Sequence, residues 1–360
     1  TMLDEIYFRL LSGSDFFRGG WGDYRLVDYL IRAGNDRHAL PERVRAFWER
    51  NAIGPVDFKF DSDHRTGNVR IQTAAFPTAF RFPVEDAELS RRQLPAESAM
   101  ARLEWIQPLD NNVGTPVVVH FAATGDEGFG RRRNMYALSL ARMGIASIIL
   151  ELPLYGSRRP AGQQGANLRY FSDLIYLSLG AQCEGIAITR TLAALGYTNI
   201  LLTGVSMGGY LAVATAALCP DVDPQVVSLI PSHSAAPVYT EGLIRRACDW
   251  NALGHEIEAN LPDHVQQHVS PSESARILVR RLFATSDIRY LPPPRSAARA
   301  LIIAGRADRY IPSYSPQIIH RHWSGSELRL LRTGHVGTFL FYRRPYLRAI
   351  LEKIGSRYVA

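Results

Sequence analysis

Cysteine, long apolar runs and nucleotide or metal signatures are all scarce in this 360-residue chain, and each shortage removes a class of function. Cys183, Cys219 and Cys248 are the only cysteines and stand too far apart for a CxxC metal pair or a disulfide framework. They read as free, buried thiols in a reducing compartment. No stretch approaches ~18 uninterrupted apolar residues, so no membrane-spanning helix is expected. The opening TMLDEIYFRLL carries Asp4 and Glu5 where an export signal is basic and then apolar, so a cytoplasmic location is the expectation. Neither GxxxxGK[ST] nor GxGxxG occurs, which removes the two common phosphate-cradling loops. No internal repeat or low-complexity tract is visible.

What is present is ordinary for a globular enzyme: 46% hydrophobic and 21% charged residues. The net charge of +7 suits anionic surroundings. Yet the cations are scattered as doublets, Arg158-Arg159, Arg245-Arg246, Arg280-Arg281 and Arg343-Arg344, with no nucleic-acid-binding signature beside them. A solvated basic surface is the reading. Peripheral contact with an anionic membrane is the partner class it would serve, nucleic acid is not expected, and oligomeric state is unreadable.

Apolar periodicity predicts helices near the start of the chain, over 24–31 and over 41–51, and strands over 68–76 and 100–107. After residue 110 the rhythm becomes strand–helix alternation. Strands are predicted at PVVVHF (116–121), IASIIL (145–150), NILLTGV (199–205), QVVSLI (225–230), ALIIAG (300–305) and ELRLL (327–331). Helices are predicted between them, including two segments at 166–179 and 182–195. This alternation predicts a mostly parallel, doubly wound sheet. It lapses from 231 to 298 into helical, proline-containing sequence. The expected organisation is a helical extension over 1–66, a core formed by 67–231 and 299–360, and a lid inserted over 232–298.

The strongest chemical signal is TGVSMGG, in which Gly204, Ser206 and Gly208 form GxSxG between a strand and a helix. That context is what a nucleophile elbow requires. A serine hydroxyl needs a base, and the base needs an orienting carboxylate. In the elbow architecture these follow in the order serine, acid, histidine on loops after later strands. Asp308, in ALIIAGRADRYIP, and His335, in LRLLRTGHVGTF, stand at those places. Glu151, at the end of another strand, is the best substitute for Asp308; Asp287 is a weaker one inside the lid. His255, His264 and His268 offer only a weak zinc hypothesis, because no acid converges with them. His120 reads as a buried histidine bonded to its surroundings rather than as a base.

The stretch HFAATGDEGFGRRR (120–133) follows the strand whose loop supplies the second oxyanion donor. The first donor is the backbone N–H of Met207; the second is read as that of Ala122, with Ala123 as alternative. Arg131, Arg132 and Arg133 read as a solvated helix start. The competing reading is that one of them grips Asp126 or Glu127, or meets an anionic substrate group.

Taken together, HFAATGDEGFGRRR, LPLYGSRRP, GVSMGGYLA, ADRYIP and RTGHVGTFL resemble the α/β-hydrolase domain-containing protein 18 family. FFRGGWG and LPAESAMARLEWIQP extend the resemblance over nearly the whole chain. Ala123 stands where that family commonly has glycine, and Glu127 where histidine is frequent. The resemblance implies an α/β-hydrolase fold, with Ser206, Asp308 and His335 on its catalytic motifs, and leans towards lipid acyl esters. The expected activity is therefore cofactor-free serine hydrolysis of a carboxylic ester, small or lipid-like. Acyl transfer through the same triad, or a catalytically silent lipid- or protein-binding member of the fold, are the alternatives. Because the base must be neutral, activity is expected to fall on acidification through roughly pH 6 to 7.

Overall fold

The computed structural model describes residues 1–11, 16–260 and 270–355. Nine strands form one sheet: β1 (Lys59–Thr66), β2 (Val69–Pro77), β3 (Met100–Pro108), β4 (Val117–Phe121), β5 (Ala146–Glu151), β6 (Ile200–Val205), β7 (Gln225–Leu229), β8 (Ala300–Gly305) and β9 (Glu327–Leu331). Their order is β1-β2-β3-β5-β4-β6-β7-β8-β9. The first three pairings are antiparallel, and every pairing from β5 to β9 is parallel. The sheet is mostly parallel, as the strand–helix rhythm predicts.

Parallel strands need cover on both faces, and side chains alternate to supply it. On one face Val117, Val119 and Phe121 join Ile200, Leu202, Val226 and Ile302 in a core closed by the helices Phe171–Ala194 and Met207–Ala217. On the other, Val118, Leu201, Val227, Leu301 and Ile303 pack against Tyr136 and Leu140 and against Tyr346, Ala349 and Ile350 of the helix Arg343–Ile354. The helical stretch from Gly130 to Arg142 contains a π turn at Arg133–Ala137.

Three differences from the sequence expectation have physical causes. The two helices predicted over 166–195 are one continuous helix, Phe171–Ala194. Gly180, which lies between the two predicted segments, and Gly185 serve close packing within it. A Cβ on Gly180 would come within 2.9 Å of the Pro153 ring, and one on Gly185 within 2.7 Å of the Phe121 ring. Strand β1, KFDSDHRT, escaped prediction because every residue is exposed, so it lacks apolar alternation. The short helix His335–Phe341 was likewise not foreseen.

Between β7 and β8 lie the helices Ala235–Thr240, Trp250–Asn260 and Pro271–Phe283. Ahead of the sheet stand Met2–Leu11, Tyr24–Asn35 and Leu40–Arg50. Among the described residues no helix is long and apolar enough to cross a membrane.

Candidate active site

The parallel strands bring their carboxyl ends to one rim. Register pairs Phe121 with Gly204, Val205 with Leu229, and Gly305 with Leu331. Ser206 follows β6 directly, at φ 57° and ψ −117°, and its amide donates to the Leu229 carbonyl at 2.9 Å. A non-glycine residue held at positive φ costs of order 1–3 kcal/mol, so the surrounding packing has to impose it. The flanking glycines show how tight that packing is. A Cβ on Gly204 would sit 2.4 Å from the Gly208 carbonyl carbon, and one on Gly208 would sit 2.4 Å from the Phe121 carbonyl oxygen. The Met207–Ala217 helix thereby begins against the loop that follows β4.

Asp308 and His335 meet. Nδ1 of His335 lies 2.7 Å from Oδ2 of Asp308, whose side chain is 4% exposed. The other carboxylate oxygen accepts from the amides of Tyr310 and Ile311, each at 2.8 Å. Tyr310 also stacks on the imidazole, with centroids 4.8 Å apart. The ring is thus held by an acid on one edge and an aromatic on one face. No hydrogen bond joins Nε2 of His335 to Oγ of Ser206 in this structure. Such bonds are often long until substrate binds.

The rival residues are otherwise engaged. Glu151 accepts from the amide and hydroxyl of Ser157. Asp287 accepts from the amide and guanidinium of Arg289 and lies 3.9 Å from His233. His120 meets Ser147 at 3.2 Å; burial, reinforced by the Arg132 cation, pushes its pKa down to about 3, so it stays neutral. Cys183, Cys219 and Cys248 are free and buried, and burial pushes the Cys183 and Cys219 thiols up to about 12. His255 lies on the Trp250–Asn260 helix, whereas His264 and His268 lie outside the described residues. No metal-holding group of His, Cys, Asp or Glu occurs among the described residues.

The solvated reading of the arginine triplet fails at Arg132, and the competing one holds. Arg132 is buried and pairs with Asp126 at 2.9 Å. It also donates to the carbonyls of His120 (3.0 Å), Leu150 (2.6 Å) and Gly128 (2.6 Å). One guanidinium therefore ties the loop after β4 to the ends of two strands. Arg133 points elsewhere and grips Glu104 in two bonds, at 2.7 and 2.6 Å. Arg131 stays exposed over the Phe339 ring. Glu127 is held by Arg159 at 2.8 Å and by the Gly156 amide at 3.0 Å. Arg158, read as half of a surface doublet, is wholly buried against Glu184 in a bidentate pair at 2.8 and 2.6 Å. A doublet whose members face opposite ways is indistinguishable from a surface pair until its partners are known.

Ser206 and Met207 open into a cavity of about 180 Å³. Tyr29, Leu30, Val44, Phe47 and Trp48 line it from the N-terminal helices, and Leu174, Ile175 and Leu179 from the Phe171–Ala194 helix. Val238, Leu282, Phe283 and Leu291 close it from the segment between β7 and β8. Its polar groups include Arg43, Gln182, Ser234, Ser286 and Asp287. Thr124 reaches this lining, but Ala122 and Ala123 do not. Sequence reasoning had no signal for the part played by the N-terminal helices, since their apolar stripes look like any core-facing stripe.

A mostly parallel sheet with a strained serine on its central strand-to-helix turn defines the α/β-hydrolase fold. The chain belongs to the family described as alpha/beta hydrolase domain containing 18, whose model matches residues 14–356. Among solved structures it is similar to an acetyl xylan esterase from Paenibacillus sp. R4, with a TM-score of 0.56 and 17% identity over 88% of this chain and 92% of that one. It is also similar to acetyl xylan esterase 1 from Thermoanaerobacterium sp. JW/SL YS485, with a TM-score of 0.53 and 17% identity over 88% and 94% of the two chains. At such identities the likeness speaks to fold.

Proposed function

We propose that this protein is a serine hydrolase that cleaves a carboxylic ester with an apolar, lipid-like acyl group. Ser206 Oγ attacks the acyl carbon while Nε2 of neutral His335 takes its proton. Asp308 holds the Nδ1–H tautomer and stabilises the imidazolium that forms. The backbone N–H groups of Met207 and Ala122 hold the oxyanion. Collapse breaks the ester C–O bond, and His335 returns the proton to the leaving alkoxide. Water then attacks the acyl-enzyme with His335 again as base, releasing the carboxylic acid and restoring the Ser206 hydroxyl. The segment between β7 and β8 acts as the lid over this site.

One observation carries the reading: the positive-φ serine opens into an apolar cavity on the same sheet rim as an acid–histidine pair 2.7 Å apart. The apolar lining favours an acyl chain over a sugar or a charged acyl group. Delivery from an anionic membrane is part of the proposal. It rests on Leu340 and Phe341, 46% and 71% exposed on the helix that begins at His335, and on exposed Arg343 and Arg344 just beyond.

The test is labelling by a fluorophosphonate probe, expected in the wild type and lost in Ser206→Ala. A panel of p-nitrophenyl esters of increasing acyl length, with phospholipid in anionic and in zwitterionic vesicles, then reads the substrate class. A well-folded wild type that refuses the probe overturns the hydrolase reading. A preference for short acyl groups overturns the lipid-like one.

A further inference from the structure

Asp4 stands on the first turn of the Met2–Leu11 helix, far in sequence from Ser206, Asp308 and His335, and its side chain is fully buried. Its Oδ2 accepts from the backbone amides of Arg309 and His335, each at 3.2 Å. Its Oδ1 accepts from the Val336 amide at 2.9 Å. The Thr1 nitrogen donates to Oδ2 at 3.1 Å. Arg309 is the neighbour of Asp308, so one carboxylate grips the acid loop and the histidine loop at the residues that matter.

The need for such a group follows from local structure. Helix His335–Phe341 begins with amides that have no partner of their own. Its cap residue is Gly334, which has no side chain to offer and makes no side-chain cap bond. The glycine is required at this point: a Cβ there would lie 2.5 Å from Oδ2 of Asp4. The capping oxygen therefore comes from a helix at the other end of the chain, and the missing side chain is what lets it in. The same helix braces the imidazole a second way, because Phe8 packs edge-on to Tyr310, the ring stacked on His335.

We propose that Asp4 is a positioning residue for catalysis, setting the spacing of Asp308 and His335 and thus the direction in which the imidazole faces Ser206. The proposal rests on the serine-hydrolase reading above. Its competitor is that Asp4 only staples the N-terminal helix to the core. The two differ in what they do to turnover by folded protein.

The experiment uses the full chain as wild type, Asp4→Ala, Asp4→Asn and Arg246→Ala. The last cuts the 2.9 Å ion pair between Arg246 and Glu5 and the contact of Arg246 with the Phe8 ring, loosening the same helix while leaving the bonds of Asp4 to both loops and the 2.8 Å pair of Glu5 with Arg309 in place. Rates of fluorophosphonate labelling, kcat and KM are measured on folded protein, with melting temperature and hydrogen exchange over 305–312 and 332–341. Asp4→Ala is expected to lower labelling rate and kcat by about 10- to 100-fold, the scale of a small misplacement of reacting groups, with KM changed less than about twofold. Both loops should exchange faster. Asp4→Asn, which keeps one acceptor oxygen in the same volume, should fall between and serves if the alanine variant does not fold. Arg246→Ala should shift the melting temperature only slightly and leave kcat within about twofold, since an exposed ion pair contributes little. Wild-type kcat in folded Asp4→Ala, or equal kcat losses in Asp4→Ala and Arg246→Ala, overturns the proposal. If the wild type itself does not label, the hydrolase reading fails and the catalytic role falls with it. Loop exchange then still reports whether the clamp exists.

Discussion

The two flanks of Ser206 are held by opposite charges. On the β4 side a buried guanidinium, Arg132, donates to three carbonyls and pairs with Asp126. On the β8–β9 side two carboxylates do the work: Asp308 accepts from the amides of Tyr310 and Ile311, and Asp4 from those of Arg309, His335 and Val336. The difference follows from the backbone each loop exposes. Ends of parallel strands leave carbonyls that need donors, and a helix start leaves amides that need acceptors. A single-sign solution would have failed on one side or the other. The comparison also predicts different failure modes, because under the proposed mechanism one flank carries the chemistry and the other chiefly carries shape.

The largest contrast is expected from Asp308→Asn. It keeps the size and packing of the histidine flank but favours the wrong imidazole tautomer, so kcat should fall about 10⁴-fold with little change in melting temperature. Ester turnover by purified variant checks this. A loss below about tenfold would mean that the carboxylate orienting the base lies elsewhere.

Next comes the opposite flank. Arg132→Met leaves buried Asp126 with only the longer, 3.9 Å pair to exposed Arg131, whereas the lost partner and Asp126 are each only 5% exposed. Removing one member of such a pair costs about 3–5 kcal/mol, to be read by chemical denaturation. Arg132→Met combined with Asp126→Leu should recover most of that loss, since an apolar pair needs no compensation. If the double variant is no better than the single one, the contacts to the carbonyls matter more than the charge pair.

The smallest expected effect separates the flanks by pH. Burial pushes the Asp4 carboxyl up, but hydrogen bonds, led by the one from the Val336 amide, outweigh it and hold the group below its ordinary value. A carboxyl depressed in the folded state stabilises the fold fully above its unfolded pKa, roughly 3.9, and that stabilisation is lost as pH falls through the lower folded value. Denaturation midpoints followed from pH 6 to pH 2.5 should therefore drop at the acid end for the wild type and drop less for Asp4→Ala. Parallel acid limbs for the two proteins would remove Asp4 from the account.

Much of the candidate site was legible from local pattern. Gly204, Ser206 and Gly208 declare themselves because only glycine fits where the elbow helix meets the Phe121 carbonyl. Asp308 and His335 could be placed by strand order and loop position, and the structure brings them together. What was hidden depends on partners remote in sequence. Asp4 looks like a first-turn helix acid and reads as evidence against an export signal, whereas its carboxylate serves loops more than 300 residues away. Arg158 looks like surface charge until Glu184 is set against it. Gly180 lies where the helix was read as two segments, and the Pro153 ring packed on it shows why glycine stands there. Periodicity reports which face is buried, not what lies across from it.

The wall of the cavity formed by Phe47 and Trp48 is encoded ahead of every strand of the sheet, whereas its counterparts, Leu174, Leu179 and Phe283, come much later. A chain emerging from the ribosome thus displays an aromatic surface long before anything exists to cover it. Nascent lengths that end short of the Phe171–Ala194 helix should be the ones that chaperones hold and that aggregate when unattended.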